Sequence, residues 1–583
     1  MRSYAVDRSS IFATLAIVML FFIYVSGLRY SYFLVSEIVA TNIMGLIAAI
    51  FLYLAYTERG KAIKPSKKLS IPLLLGIVLF FILIIFRYLG SEVIVSIVGI
   101  IAFGHFSKKM KSHRLYALLI AGIIITSIFT CALVLRAWGP AWRGVDEITY
   151  GYYASYFVLH GKDPYTMNMA SSLNQYNTPA TIQLNGTIEG AYNYPALSLL
   201  PTILLSLLNL YGYVNVAMIA AFITIAISFF IYYKSKYNSA LLLPLVAWLF
   251  ASFDTVPTIN QYLAVGVFLL LAYMLRKRTL LYGVLLGLAA SVNQLAWFAI
   301  PFFLILTLRE EGRKRALQAL AMAIIVFLLI NGYFIILNPK AFIVDVFGVF
   351  GTSKLLPGGP NIAQLFISSY GVPLWVPAAI TAVTFMTFLA LFYLYTATLR
   401  PMIAIVPIFI FFLSWRNLEY YGLAFIPLML VLCYCVEKEK IRDALKSKRY
   451  LVAALAAVTL ISLVIVVFGH MVYAREDTLS ITHMAPSPEG SNGTYTINAI
   501  RVSVANNGNS YEQVSFLYVF NKGNSGNYTL DPAPMISPHT VQNYTLDYTI
   551  NNVTNSSKIY VMAFSKDYIT SRQLNISDQP GGG

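Results

Sequence analysis

The chain has 583 residues, 58% of them hydrophobic and 11% charged, with a mean hydropathy of +0.71 and a formal charge of +17. Soluble domains carry about 45–50% apolar and about 25% charged residues, so this is the composition of a polytopic membrane protein. The basic residues sit in short groups between long apolar runs instead of gathering on one polar face, which excludes a nucleic-acid reading of the charge and makes it a record of topology. Cys131, Cys433 and Cys435 all lie in apolar segments, and the six histidines make no metal-ligand spacing. Neither a disulfide framework nor a histidine-based metal site is expected.

A bilayer-spanning helix needs about 20 apolar residues. In chain order the expected spans are Ser10 to Leu28, Phe33 to Tyr56, Ser70 to Phe86, Ser91 to Phe106, Leu115 to Leu135, Tyr213 to Tyr233, Ser239 to Phe253 and Gln261 to Leu275. They continue with Ala316 to Leu337, Leu374 to Thr396, Met402 to Leu413, Tyr421 to Val436 and Tyr450 to Val472. No small-residue cleavage site follows the first run, which therefore reads as a retained helix. Two further apolar stretches, Pro195 to Leu210 and Leu280 to Leu308, fit no single simple span.

The Lys and Arg of short loops orient the chain. Of the 41 basic residues, 27 fall on one face, the cytoplasmic one, if about 13 helices cross fully and both awkward stretches return to the side they came from. Leu280 to Leu308 is then a hairpin broken at Ser291, Asn293 and Gln294, and Pro195 to Leu210 a re-entrant or interfacial piece on the outer side. Broken segments at membrane depth are tolerated where they are buried in protein or line a wet cavity, so they point towards a site. The N-terminus is expected inside, in a multi-pass plasma-membrane protein. The loop 137–194 and everything after Val472 face outward. Sequons agree: one at Asn185 in the loop, and six at Asn492, Asn527, Asn543, Asn552, Asn555 and Asn575 in the tail, with none in an inner loop. Trp138, Trp142, Trp375 and Trp415 fall at expected outer helix ends.

The tail turns to Asn, Ser, Thr, Tyr and Gly. Ile500, Val502 and Val504 alternate with Arg501 and Ser503, and Leu546, Tyr548 and Ile550 with Asp547 and Thr549, with turns expected at Asn507-Gly508, Lys522-Gly523 and Asn551-Asn552. The expected fold class is thus a polytopic α-helical membrane protein of about 13 spans plus two re-entrant or broken hairpins, ending in a small all-β sandwich. Its expected divisions are a four-helix module (1–114), a main membrane module (115–449), a last helix and stalk (450–477) and an extracytoplasmic sandwich (478–583). In Ile500-x-Val502-x-Val504-x-Asn506-x-Gly508 the sandwich resembles CARDB-type and related Ig-like modules. A cysteine-free, sequon-rich tail suits an archaeal cell surface.

Only 24 residues are acidic, and few face outward: Asp146, Glu147, Asp163, Glu189, Asp254, Asp345 and Glu419. The densest polar cluster runs from Arg143 through Asp146-Glu147 to Tyr150, Tyr153 and Ala154, continues at Gly161-Lys162-Asp163-Pro164-Tyr165, and closes with Tyr192-Asn-Tyr194-Pro195. Here the chain resembles the GT-C class of membrane glycosyltransferases, especially its polyprenyl-phosphate-sugar-dependent mannosyltransferase branch. The matching positions are Asp146, Glu147, Tyr150, Ala154, Gly161, Pro164, Tyr165, Tyr194 and Pro195. A second match is Asn260-Gln261, then a basic loop and Gly283-x-x-x-Gly287. The family often has a lysine where this chain has Asn293 or Gln294, and its acidic loop usually follows the first helix, not the fifth. The resemblance covers roughly residues 115–436.

The resemblance implies a metal-independent, inverting hexosyltransferase without cofactor, with Asp146 as base and Glu147 beside it raising its basicity or binding acceptor hydroxyls. The donor implied is a polyprenyl-phosphate sugar, mannose or another hexose, and the acceptor a glycan, glycolipid or surface protein. Chemistry alone asks for the same parts: a base for the acceptor hydroxyl and a cation for the departing phosphate. Arg143, Lys162, Lys354 and Arg416 are the outward cations available for that phosphate. Tyr150 and Tyr153 are placed to stack on sugar rings. The bland readings are a solvated helix cap for the acid pair, snorkelling cations for Lys354 and Arg416, and relief of a broken helix for Asn293 and Gln294. A transporter or flippase of lipid-linked glycans and a non-catalytic surface anchor are the competing functions.

Overall fold

The computed structural model describes residues 7–25, 35–59, 146–175, 178, 181, 183, 187–210, 216–255, 260–348, 361, 375–413, 419–436, 443–445, 447, 449–473, 479–489, 495–520, 524–528, 535–554, 559–565 and 569–574. The expected spans Ser70 to Phe86, Ser91 to Phe106 and Leu115 to Leu135 lie outside them, as do Trp138, Trp142 and Trp415.

Helices dominate the described residues up to Tyr473. They are α1 (Arg8–Val25), α2 (Val35–Thr57), α3 (Asp146–Leu159), α4 (Leu200–Leu207), α5 (Val216–Lys234), α6 (Leu242–Thr255) and α7 (Asn260–Leu275). After these come α8 (Thr279–Val292), α9 (Leu295–Glu311), α10 (Arg313–Leu337), α11 (Trp375–Leu394), α12 (Met402–Phe409), α13 (Ile426–Tyr434) and α14 (Arg449–Tyr473). Among the described residues four stretches, Val39–Thr57, Arg313–Leu337, Trp375–Leu394 and Arg449–Phe468, are long and apolar enough to cross a membrane. That falls short of the thirteen spans expected. The described helices at several expected spans are too short: the Met402 to Leu413 run forms an eight-residue helix, and the Tyr421 to Val436 run a 3-10 stretch Glu419–Phe425 followed by nine residues of α-helix. Proline contributes, with Pro407 inside α12 and Pro427 in the first turn of α13.

While α3 and α4 pack in separate clusters, most of the helices share one apolar core. It includes Ala13, Ile17 and Leu20 of α1, Ala48 and Leu52 of α2, Trp248 of α6, Leu269 and Tyr273 of α7, Phe302 and Phe303 of α9 and Leu428 to Leu432 of α13, so the first two helices are built into the main bundle. Trp248 donates its indole N–H to the Leu423 carbonyl at 2.9 Å in the middle of this core. Gly266 stands where any Cβ would meet the backbone carbonyl of Ala424, which lets α7 approach that segment closely.

The expected broken hairpin is present. α8 stops at Val292, Asn293 is extended (φ −157°, ψ 147°), and α9 restarts at Leu295, whose N–H is accepted by Asn293 Oδ1 at 3.0 Å. A polar residue in an apolar run thus ends one helix and caps the next. Gly312 (φ +93°) then turns the chain into α10. Gly283 and Gly287 of α8 face Ala319 and Ala323 of α10: a Cβ on either glycine would lie 2.6 or 2.7 Å from the opposing carbonyl. Small residues four apart on both helices form the close-packed seam familiar from membrane helix pairs. The other awkward stretch, Pro195 to Leu210, is a 3-10 turn Ala196–Leu199 running into α4.

The C-terminal region is a two-sheet sandwich. One sheet has the order β1-β2-β7 (Leu479–Glu489, Tyr495–Asn506, Thr540–Val553) and the other β5-β4-β8-β9 (Asn524–Tyr528, Ser515–Phe520, Ile559–Phe564, Ile569–Leu574), all antiparallel. A small β3-β6 pair (Glu512–Gln513, Met535–Ile536) completes it. Ile500, Val502 and Val504 are buried with Leu546 and Ile550 against Phe516, Val561 and Ala563 of the other sheet, as the alternation requires. One expected turn is absent: β7 runs through Asn551-Asn552 to Val553. Register shifts around Ile497 of β2 absorb the irregularity, and Thr496 donates to Asn551 Oδ1 at 3.3 Å.

Candidate functional site

The acid pair opens α3, where carboxylates suit the exposed N–H groups and the dipole. Asp146 Oδ1 accepts the Glu147 N–H at 2.9 Å, and its Oδ2 accepts the Thr181 hydroxyl, so the expected base is half-buried and held by the loop that follows. Glu147 is turned the other way. It is 3% exposed, and its Oε1 has no hydrogen-bond partner among the described residues. Burial pushes its carboxyl up to about 8; the Tyr262 hydroxyl and the Gln261 backbone N–H oppose the rise, and the Asp146 charge adds to it. The group therefore holds its proton more tightly than an ordinary glutamate.

Tyr150, Tyr165, Tyr192 and Tyr194 wall the loop. Tyr150, 3% exposed, donates its hydroxyl to the Glu189 carbonyl, so its ring is packed inside and is not a surface for sugar stacking. Tyr165 donates to the Tyr194 carbonyl at 2.9 Å and packs against Phe334 and Phe342. The Gly161–Tyr165 and Tyr192–Pro195 stretches are therefore joined by a hydrogen bond. Asp163 caps the 3-10 turn Pro164–Thr166 by accepting the Tyr165 N–H at 3.1 Å. Burial raises its carboxyl while that hydrogen bond lowers it. Tyr192 bonds Ser198 at 2.6 Å. Burial pushes all four phenols above their ordinary range, so they stay neutral.

The hairpin tip closes this region from below. Asn293 Nδ2 donates to Gln261 Oε1 at 3.2 Å. Gln294 Nε2 donates to the carbonyls of Asn193 and, at 3.0 Å, Val346. Asn331 of α10 accepts the Ala196 N–H at 2.8 Å and donates to Ser291 Oγ at 3.3 Å. Residues far apart in sequence, Glu147, Tyr194, Gln261, Tyr262 and Gln294, are thus brought to one place. Gln261 and Gln294 were legible as polar groups in apolar runs. Tyr262 carried no signal among 41 tyrosines.

Of the phosphate-binding candidates, Lys162 alone lies among the described residues, and it is not beside the acid pair. Lys162 follows the far end of α3, about 20 Å from Asp146 along the helix, and its ammonium lies 5.9 Å from the Phe157 ring centre. Tyr153 packs edge-on to Phe157 at 4.8 Å. Arg143, Lys354 and Arg416 lie outside the described residues, as do the sequon residues Asn185, Asn492, Asn555 and Asn575. Asn527, Asn543 and Asn552 lie on strands β5 and β7, and Asn543 Oδ1 accepts the Ser503 hydroxyl at 2.7 Å. Searches for related proteins found no matching family, no matching curated protein and no matching solved structure.

Proposed function

We propose that the chain is an integral-membrane glycosyltransferase that moves a hexose from a polyprenyl-phosphate carrier to a hydroxyl on an extracytoplasmic glycan, glycolipid or surface protein. The observation that carries the reading is the acid pair at the start of α3, with one carboxylate held in the loop and the other buried against the Gln261–Tyr262 turn and the Tyr192–Pro195 segment. Asp146 is the base that takes the acceptor proton as the anomeric carbon is attacked in line, and the carrier phosphate leaves with inversion. The cations for that phosphate come from Arg143, Lys354 and Arg416; Lys162, past the far end of α3, is too distant. Placing the acids outside also assigns about 13 crossings, a cytoplasmic N-terminus and an outer β-sandwich at the plasma membrane, the topology in which the 27 clustered basic residues share one face.

The buried amides of the hairpin favour this reading over transport. Asn293, Gln294 and Asn331 each bond a named partner and brace the loop, so they do not line an open polar path. The test is transfer of labelled hexose from a polyprenyl-phosphate donor in membranes holding the wild type or Asp146→Asn. Transfer by the wild type with a 10²–10⁴-fold loss in the variant, roughly the contribution of a positioned base, is expected. Undiminished transfer in Asp146→Asn removes the base; lipid-glycan flipping without transfer replaces the enzyme by a transporter.

A further inference from the structure

The two acids at the start of α3 differ in what surrounds them. Asp146 is half-buried and bonded to Thr181; Glu147 is enclosed between α3, the first turn of α7 and the segment before Pro195. The groups facing Glu147 are Asp146 on its own helix, the Tyr262 hydroxyl and Gln261 N–H on α7, and Tyr192 and Tyr194 on the loop segment, with Tyr421 behind Tyr194. None of them is a cation. A carboxylate in that position would meet both desolvation and a like charge, whereas a neutral carboxyl meets neither.

We propose that Glu147 is a proton-coupled latch: its neutral carboxyl lets the first turns of α3 dock on Gln261, Tyr262 and the Tyr192–Tyr194 segment, and loss of the proton releases that end to water. Release would uncover the loop acids while the rest of α3 stays in place. Its later turns are held by groups that do not titrate near neutrality: Ser155 bonds Thr202 at 2.6 Å, and Thr202 donates to the Gly151 carbonyl at 3.1 Å. The raised proton affinity of Glu147 agrees in direction. A carboxyl that holds its proton more tightly when docked contributes fully to docking below the ordinary glutamate range. The contribution is lost as pH rises from there to about 8, and the dependence flattens above that.

Hydrogen exchange on the full-length protein in detergent micelles, with rates corrected for intrinsic base catalysis, reads docking directly. Protection of the amides in the first turns of α3 should fall by up to about tenfold per pH unit until about pH 8, while amides around Ser155 keep theirs. Glu147→Gln, neutral and of the same shape, should remove the dependence. Asp146→Asn, which deletes the like charge, should end the fall at lower pH; Tyr262→Phe, which deletes a bond that favours the carboxylate, should end it at higher pH. A flat wild-type profile, or a fall that persists in Glu147→Gln, overturns the latch. Should Glu147→Gln fail to fold, the other two variants decide: opposite shifts support the latch, and shared or absent shifts overturn it. Exchange reports docking and not chemistry, so the latch and the transfer reading fail separately.

Discussion

Two buried glutamates sit at the two ends of the α8–α9 hairpin. Glu310, at the end of α9, receives Arg276 Nε at 3.1 Å and Arg400 Nη2 at 2.6 Å, and Arg400 also donates to the Tyr273 hydroxyl at 2.9 Å. Glu147, docked beside Gln261 at the hairpin tip, has hydroxyls, an amide N–H and another acid around it among the described residues. Burial is nearly the same, with 9% of the Glu310 side chain and 3% of Glu147 exposed. The surroundings assign different tasks. Two arginines pair with Glu310 and so tie α7, α9 and the turn before α12 together. With no cation against it among the described residues, Glu147 is able to gain or lose a proton. A buried acid matched by cations belongs to the scaffold, and one left unmatched is available for chemistry or switching.

Breaking the scaffold end should have the largest effect. Glu310→Ala removes the carboxylate that two buried arginines share and should cost about 3–5 kcal/mol, read as a lower thermal midpoint in detergent. An unchanged midpoint would place those arginines in water. Gly287→Val drives a side chain into the Ala323 carbonyl and Val326 and should cost about 1–3 kcal/mol in the same assay; a stable variant would mean that α8 and α10 can part cheaply.

At the tip, Gln294→Leu orphans the Asn193 and Val346 carbonyls. About 1–3 kcal/mol of lost stability is expected, together with faster proteolysis in the 187–195 segment. If cleavage stays at the wild-type rate, the amide does not hold the loop. Tyr165→Phe removes only the bond to the Tyr194 carbonyl and should cost about 1 kcal/mol, leaving the aromatic packing in place.

Much of the scaffold could be read from the chain. Asn293 and Gln294 announced a helix break because an amide inside an apolar run has to find partners, and it found them in Gln261, Asn193 and Val346. The β alternation at Ile500, Val502 and Val504 translated directly into burial. Helix length did not translate, because apolar runs such as Met402 to Leu413 pack inside the bundle, where neighbouring helices and prolines set their ends. Glu147 was visible as one of few outward acids, but its burial depends on Tyr262 and Tyr194, contacts between residues 47 to 115 positions apart that no local pattern encodes. The Arg276–Glu310–Arg400 cluster was hidden for the same reason: each member looked like one more charge in a basic loop.

The claim that joins fold to function is that Glu147 is a neutral acid at physiological pH. Infrared difference spectra of wild type minus Glu147→Gln, recorded across a pH titration of the intact protein, observe its carbonyl stretch directly. The account predicts a protonated-carboxyl band at pH near 6 that fades through about 8. A carboxylate signature already complete at pH near 6 would contradict it.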